Sequence, residues 1–127
     1  MIAPVYAACL AILMIVLSLR VSLARRRSGI SLGWGDDTDL AERVRSFGNF
    51  AEWAPMALML IVLAELAGAP GAALHSAGGL LVLGRVLHPI QLRMDVIITP
   101  LRFLGMVATY AAILIATYHL ARIGTGF

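Results

Sequence analysis

Residues 43–66 read RVRSFGNFAEWAPMALMLIVLAEL, a short polar segment that runs directly into a long apolar one. As a helix, an apolar stretch of about 20 residues crosses the hydrocarbon core of a bilayer. Arg45, Asn49 and Glu52 lie at the start of this segment, and their i, i+4, i+7 spacing places them on one helix face. Ionisable groups at the edge of a membrane span cost free energy unless they are paired, so this polar stripe marks a candidate functional site.

The composition of the whole chain indicates a membrane protein. Of its 127 residues, 61% are hydrophobic and 13% are charged, whereas soluble domains have about 25% charged residues. All ten basic residues are arginine, a side chain that can bind a carboxylate or a phosphate through two parallel hydrogen bonds. The net charge is only +3, so we do not expect nucleic-acid binding. One cysteine and three scattered histidines give no support for a metal site.

Three further apolar stretches accompany the one that contains the polar stripe. We therefore predict an all-α integral membrane protein, a four-transmembrane-helix antiparallel bundle that forms a single domain over residues 1–127. The predicted helices cover about residues 2–24, 40–68, 71–92 and 100–122. The loops after the first and third helices carry arginines, so the positive-inside rule places these loops in the cytoplasm and both termini outside it.

Two sequence patterns predict where helices begin. Asp39 and Glu42 have the spacing of a capping box, so the second helix is expected to begin close to them. Thr99 followed by Pro100 predicts the cap and the first position of the fourth helix.

Two prolines fall inside predicted helices, Pro55 in the second and Pro89 in the third. Proline lacks a backbone N–H, and its ring clashes with the carbonyl four residues earlier, so it kinks or breaks a helix. We expect a kink at each proline, towards the cytoplasmic end where the polar residues lie.

Polar residues of different helices are predicted to meet near the cytoplasmic side. On the third helix Arg85, His88 and Leu92 share a face, and Arg102 begins the fourth helix. The second and fourth helices start at this side and the third ends there, so these residues lie at the same height as the polar stripe. The combined patch has several arginines and one glutamate, which suits a small anion that also carries an amine.

Structural roles are the alternative for the same polar residues. Arg45 and Glu52 could pair only with each other and with Arg85, which would fix the register of the helices. Stripes of small residues predict, in addition, that helices pack tightly within or between the subunits of an oligomer. These stripes are Ala72, Ser76 and Gly79 on the third helix and Gly105, Ala108, Ala112 and Ala116 on the fourth.

Four segments together resemble one family. Residues 45–55, RSFGNFAEWAP, resemble the R-A-x-x-N-x-x-E-x-x-P signature of the membrane-associated eicosanoid and glutathione metabolism (MAPEG) family. Residues 84–88, GRVLH, resemble its G-R-x-x-H segment, and residues 102–109, RFLGMVAT, resemble the start of its fourth helix in the bacterial branch. Residues 29–35, GISLGWG, are similar to the first loop of that branch. The resemblance covers nearly the whole chain, in order.

This resemblance implies a homotrimer that holds glutathione between neighbouring subunits near the cytoplasmic face. Glu52 is expected to bind the amino group of glutathione, and Arg45 and Asn49 its carboxylates and backbone. Arg102 matches the arginine that faces the sulfur, so it is the expected catalytic residue. The other residues expected at the glutathione site are Arg85, His88 and either Arg25 or Arg26.

The predicted function is that of a membrane-bound, glutathione-dependent transferase or peroxidase. A thiol with a pKa of about 8.5 is mostly protonated at neutral pH, and a guanidinium such as that of Arg102 favours the thiolate. The thiolate would react with a hydrophobic electrophile or peroxide that enters from the lipid bilayer. The expected location is a bacterial inner membrane.

Departures from the family pattern leave a second function open. Met106 and Leu92 stand where many relatives carry tyrosine, and Ser46 replaces the signature alanine. The alternative is a non-catalytic member of the same fold that binds lipids or a partner. A small four-helix drug transporter is less favoured, because residues 2–19 contain no acidic residue of the kind that such transporters need.

Overall fold

The computed structural model describes residues 1–126, and these residues form four α-helices and no strand. The helices are α1 (Ala3–Ser28), α2 (Thr38–Leu66), α3 (Gly71–Leu87) and α4 (Pro100–Thr125). The predicted all-α fold is therefore confirmed. By length and composition α1, α2 and α4 can each cross a membrane, and α3 is a shorter apolar helix of 17 residues.

α2 and α3 form the centre of the bundle, because each packs against the three other helices, whereas α1 and α4 make no contact with each other in the described chain. Small and aliphatic side chains such as Ala57, Ile61 and Leu81 form the core between the helices. The outer surface is also apolar, with Ile12 on α1 65% exposed and Leu114 on α4 67% exposed. Apolar patches of this extent are rare on soluble monomers and match the hydrocarbon of a bilayer.

The cap of α2 is Asp37, two residues before the predicted Asp39. The Asp37 backbone is extended (φ −82°, ψ 99°), and its carboxylate accepts a hydrogen bond from Leu40 N at 3.0 Å. Asp39 already lies in the first helical turn and accepts from Arg43 Nε at 2.8 Å instead. Glu42 accepts from a backbone N–H of the α3–α4 loop, so the predicted capping box does not form.

α3 ends at Leu87, earlier than the predicted end at residue 92. Pro89 was expected to kink the helix, but the helix ends before it, with His88 as the C-cap. Proline has no backbone N–H to donate, and its ring clashes with the carbonyl four residues earlier, so a helix readily ends before it. Leu92 therefore lies in the loop and does not extend the polar face of α3. α2, in contrast, continues through Pro55.

α4 begins where the sequence predicts, at Pro100 with Thr99 as its cap. The Thr99 hydroxyl does not bond to the helix, however, but donates to Gln91 O at 2.8 Å. Gln91 Oε1 accepts from Leu101 N at 3.2 Å and so supplies the missing side-chain cap. The α3–α4 loop is thereby tied to the start of α4.

At the opposite end of the bundle, α2 caps α1. The carboxylate of Glu65 accepts from the backbone N–H groups of Ile2 and Ala3. A carboxylate is favoured there by the positive end of the helix dipole. Beside it, the Tyr6 hydroxyl lies 2.9 Å from His75 Nδ1. These contacts join the starts of α1 and α3 to the end of α2.

α3 and α4 approach each other very closely where Gly84 faces Gly105. A Cβ added to Gly105 would lie 2.8 Å from Gly84 O and 2.9 Å from His88 N, both backbone atoms. The predicted small-residue stripe of α4 is buried and packs within the subunit. The predicted stripe of α3 differs, since Ala72 and Ser76 are exposed on the subunit surface.

We predict that Gly105→Ala lowers the free energy of unfolding by about 1–3 kcal/mol, because the new methyl group meets backbone that cannot move aside. The control is Gly124→Ala in α4, where no heavy atom lies within 4 Å of an added Cβ. Since alanine is favoured over glycine in helices, the control should unfold at the same temperature as the wild type or a higher one. Thermal unfolding in detergent measures both, and equal unfolding temperatures would contradict the close approach.

Candidate functional site

The polar stripe of α2 consists of an outer ion pair and an inner amide. Arg45 and Glu52 form a bidentate pair, with Nη1–Oε1 and Nη2–Oε2 distances of 2.8 and 3.3 Å. Their side chains are 55% and 51% exposed. Asn49 lies between them in sequence and is buried, with 7% of the residue exposed. The ion pair therefore lies on the subunit surface, whereas the Asn49 side chain between its two members in sequence is buried.

Arg85 lies inside the bundle, with 1% of the residue exposed. Its Nη1 donates to Asn49 Oδ1 at 2.7 Å, and its Nε donates to Thr109 Oγ1 at 3.1 Å. Its Nη2 lies 3.5 Å from Gly105 O and 3.4 Å from Met106 Sδ. All four acceptors are neutral, and none of the ion pairs in residues 1–126 includes Arg85. Because a buried charge is costly unless it is hydrogen-bonded, these contacts are what keep the guanidinium inside.

The close approach of α3 and α4 brings two of these acceptors to Arg85. The Thr109 hydroxyl donates to Gly105 O at 2.9 Å, so only its lone pairs remain for Arg85. Gly84 and Gly105 have no side chains, which lets the two backbones come together beside the guanidinium. The glycine contact is thus a condition for the buried charge as well as for helix packing.

Arg102 begins α4 next to the polar stripe, and its Nη1 donates to Ile97 O in the preceding loop at 2.9 Å. Arg102 and Arg45 line the same cleft, of about 320 Å³. A smaller cavity of about 170 Å³ lies beside it, lined by Arg102, Ile97 and Met106. The predicted catalytic arginine therefore lies between the α2 ion pair and apolar side chains.

The remaining predicted site residues have different surroundings. Arg25 Nη1 donates to Ile30 O at 3.3 Å and to Gly33 O at 2.9 Å, so this arginine organises the α1–α2 loop. Arg26 is exposed at the end of α1. Neither arginine hydrogen-bonds to the α2 stripe in the described part of the chain. His88 is 3% exposed and lies at the buried end of α3.

The site has an excess of positive charge. Its three guanidinium groups and one carboxylate belong to Arg45, Arg85, Arg102 and Glu52. Arg93 also lines the cleft, but it donates to Asp95 at 3.0 Å, and this hydrogen bond lowers the pKa of the Asp95 carboxyl. That pair is neutral as a whole, so it does not cancel the excess. Near a membrane, where the effective dielectric constant is low, such an excess attracts an anion.

Comparison with known proteins agrees with the motifs. The MAPEG family model matches residues 3–122, nearly the whole chain. The chain belongs to the MAPEG family. It is 31% identical over 88 residues to the inner membrane protein YecN of Escherichia coli K12, which is 69% of this chain and 67% of YecN. YecN of Escherichia coli O6:H1 strain CFT073 matches equally well. No solved structure gives a significant match.

As a MAPEG protein, the chain is an integral membrane protein of the glutathione and eicosanoid metabolism family. The alternative given above, in which Arg45 and Glu52 pair only with each other and with Arg85 to fix the helix register, is met only in part. Arg45 does pair with Glu52, but Arg85 bonds to Asn49 and not to either member of that pair. The Arg45–Glu52 ion pair is consequently not hydrogen-bonded to the buried Arg85.

Sequence reasoning assigned no role to Thr109, which is fully buried and accepts from Arg85. A signal was present in this MAPEG chain. Thr109 follows Gly105 by one helical turn and adjoins the small-residue stripe of α4, so a buried hydroxyl at this position needs a polar partner.

We predict that Thr109→Val, a change that keeps the shape of the side chain, lowers the free energy of unfolding by about 1–3 kcal/mol, because Arg85 Nε loses its buried acceptor. The matched control is Thr125→Val, since the Thr125 hydroxyl also donates to the carbonyl four residues earlier but is exposed. The control should change stability by no more than about 0.5 kcal/mol. Chemical or thermal unfolding in detergent tests this, and a Thr109→Val protein as stable as its control would refute it.

Proposed function

We propose that this protein binds glutathione at the cytoplasmic end of the bundle and activates its thiol for reaction with a hydrophobic electrophile or a peroxide. The observation that carries the proposal is the half-exposed Arg45–Glu52 pair beside Arg102. Arg45 and Glu52 match glutathione-binding positions of the MAPEG family, and Arg102 matches the arginine that faces the sulfur.

The Arg45–Glu52 pair is complementary to an amino-acid zwitterion. One guanidinium and one carboxylate lie 2.8 Å apart, so an ammonium group can bind Glu52 while a carboxylate of the same ligand binds Arg45. An exposed ion pair contributes only about 0–1 kcal/mol to stability, so a ligand can separate it at little cost. Glutathione carries one ammonium and two carboxylates. Its net negative charge also matches the excess of positive charge in the site.

Arg102 is the proposed activating residue. Its guanidinium uses one N–H on Ile97 O, which leaves its other donors for a thiolate. In a transferase reaction the sulfur electron pair forms the C–S bond, and the leaving group departs with its own electrons. In a peroxidase reaction the thiolate attacks one peroxide oxygen, the O–O bond breaks, and the other oxygen leaves as an alkoxide or hydroxide that takes up a proton. The sulfur is then a sulfenic acid, and the thiol of a second glutathione displaces its oxygen as water to form the disulfide. In both, the positive charge favours the thiolate over the thiol.

We further propose that the site is completed by neighbouring copies in a homotrimer of the bacterial inner membrane. In the single subunit the ion pair is half exposed and Arg102 is partly exposed, so both are accessible to a neighbouring copy. The arginine-rich loops would lie in the cytoplasm and both termini outside it. The proposed inner-membrane location, though not the orientation, is supported by the name of the Escherichia coli relatives.

A non-catalytic lipid-binding role is the second candidate, supported by an apolar groove between α1 and α2. The groove has a volume of about 220 Å³ and is lined by Ala7, Leu10, Ala11, Met14, Phe50, Ala54, Pro55 and Leu58. Met106 in place of a tyrosine also removes a hydroxyl next to Arg102. This candidate predicts that no thiolate forms at the site.

Calorimetry with glutathione and the detergent-purified oligomer tests the binding step. We expect a dissociation constant in the micromolar to millimolar range. Glu52→Gln should weaken binding by about tenfold or more, because the ammonium group loses its charged partner. Arg20→Ala is the control, since Arg20 lies at the same end of the bundle but does not line the Arg45–Arg102 cleft. The absence of binding to a folded oligomer would refute the proposal.

Ultraviolet thiolate absorbance of bound glutathione at neutral pH tests the activation step. We expect the absorbance in the wild type and in Arg20→Ala and its loss in Arg102→Ala, because only the last variant removes the positive charge near the sulfur. Binding without thiolate in the wild type would favour the lipid-binding candidate instead.

A further inference from the structure

The side-chain amide of Asn49 has a defined orientation, because a guanidinium can only donate hydrogen bonds. Arg85 Nη1 lies 2.7 Å from Asn49 Oδ1, so the amide oxygen faces the interior of the bundle. The NH₂ group of the same amide then faces away from Arg85. The orientation follows from the hydrogen-bonding chemistry and is not an arbitrary choice between two ends of the amide.

The NH₂ group of Asn49 has no hydrogen-bond partner among residues 1–126, whereas its oxygen has one. No fully enclosed side-chain nitrogen or oxygen in these residues lacks a partner, so this NH₂ group is not fully enclosed. Asn49 lies between Arg45 and Glu52 on the α2 face. The NH₂ group therefore reaches the surface of the single subunit, and the residue that carries it shares its helix face with Arg45 and Glu52 by its i, i+4, i+7 spacing.

Arg85 itself is not available to a ligand. Only 1% of the residue is exposed, and each of its three nitrogens already has an acceptor on α2 or α4. A ligand carboxylate cannot replace those acceptors without opening the contact between α3 and α4. The expectation that Arg85 binds glutathione directly does not fit this burial.

We infer that Arg85 is a positioning residue, which holds the Asn49 oxygen inside so that the Asn49 NH₂ group donates to a carboxylate or carbonyl oxygen of the bound peptide. This inference rests on the proposed glutathione site and specifies how its recognition works. Thr109 and Gly105 hold the Arg85 guanidinium in place, and the guanidinium in turn holds the Asn49 amide oxygen. The Asn49 NH₂ group, which can only donate, then favours a ligand oxygen over a ligand amine at this position.

Asn49→Asp is the most direct test, because an aspartate keeps the oxygen that Arg85 binds and replaces the NH₂ group by a second oxygen. The variant should unfold at the wild-type temperature or above it, since a carboxylate accepts from Arg85 at least as well as an amide. It should bind glutathione about tenfold more weakly or worse, because two like-charged oxygens would then face each other.

The matched control is Gln91→Glu, a second change from amide to acid. Gln91 Oε1 accepts from Leu101 N, and a glutamate keeps this acceptor while adding the same charge at the same end of the bundle. Its dissociation constant for glutathione should stay within about twofold of the wild type. A shared loss of affinity in both variants would attribute the effect to charge alone and would overturn the inference.

Asn49 is the only asparagine in the chain, so ¹⁵N-asparagine labelling gives one side-chain NH₂ signal pair. We expect this pair to shift when glutathione is added. In Arg85→Lys we expect it to shift without any ligand, because the geometry of the donor to the Asn49 oxygen changes. A pair that is insensitive to Arg85→Lys would overturn the positioning role.

These measurements distinguish a failure of glutathione binding from a failure of the positioning role of Arg85. If wild-type protein does not bind glutathione, the proposed function fails and the inference fails with it. If the wild type binds glutathione and Asn49→Asp binds it equally well, or unfolds at a clearly lower temperature, only the inference fails.

Discussion

The burial of one guanidinium group without a carboxylate partner is the constraint on which the rest of this structure depends. Arg85 is enclosed at the point where α2, α3 and α4 meet, and a charge in that position must be solvated by the protein. The solvating groups are an amide oxygen, a hydroxyl, a backbone carbonyl and a thioether. They reach Arg85 because Gly84 and Gly105 allow two helices to approach almost backbone to backbone. The packing of α3 on α4 and the polar chemistry of the site are therefore one arrangement.

This arrangement gives the site two layers with different properties. In the inner layer, hydrogen bonds join Gly105 to Thr109, Thr109 to Arg85 and Arg85 to Asn49, and all four residues are buried. The outer layer is the Arg45–Glu52 pair, which is half exposed and costs little to open. In the proposed glutathione site, the inner layer would hold the Asn49 amide in place, and the outer ion pair would separate to bind the ammonium and carboxylate groups of the ligand. A binding site built in this way loses little free energy to reorganisation when the ligand enters.

Much of the fold could be predicted from the sequence, because apolar segments of membrane length and the i, i+4, i+7 polar stripe are local patterns. Helix ends were less predictable. The sequence analysis predicted Asp39 as the cap of α2, whereas the cap is Asp37, whose extended backbone distinguishes it from the helical Asp39. Pro89 ends α3 and Pro55 does not end α2, although both have the same local chemistry. We attribute the difference to the tertiary packing around each proline, which cannot be read from the local sequence.

Part of the candidate site, the shared helix face of Arg45, Asn49 and Glu52, could be predicted from the sequence, but its hydrogen-bond network could not. Helical spacing identified the one face that Arg45, Asn49 and Glu52 share. Their hydrogen-bond partners, in contrast, depend on how closely α3 and α4 approach each other. Glycines at that contact brought Thr109 to Arg85, which sequence spacing on single helices does not reveal. Arg85, which was predicted to bind the ligand directly, is buried beside the same contact.

An experimental structure of the oligomer with bound glutathione tests the central claim most directly. We predict that the ligand amino group lies on Glu52, that the Asn49 NH₂ group donates to a ligand oxygen, and that Arg85 contacts Asn49 but not the ligand. Glutathione bound directly to Arg85, or bound away from the α2 ion pair, would contradict it.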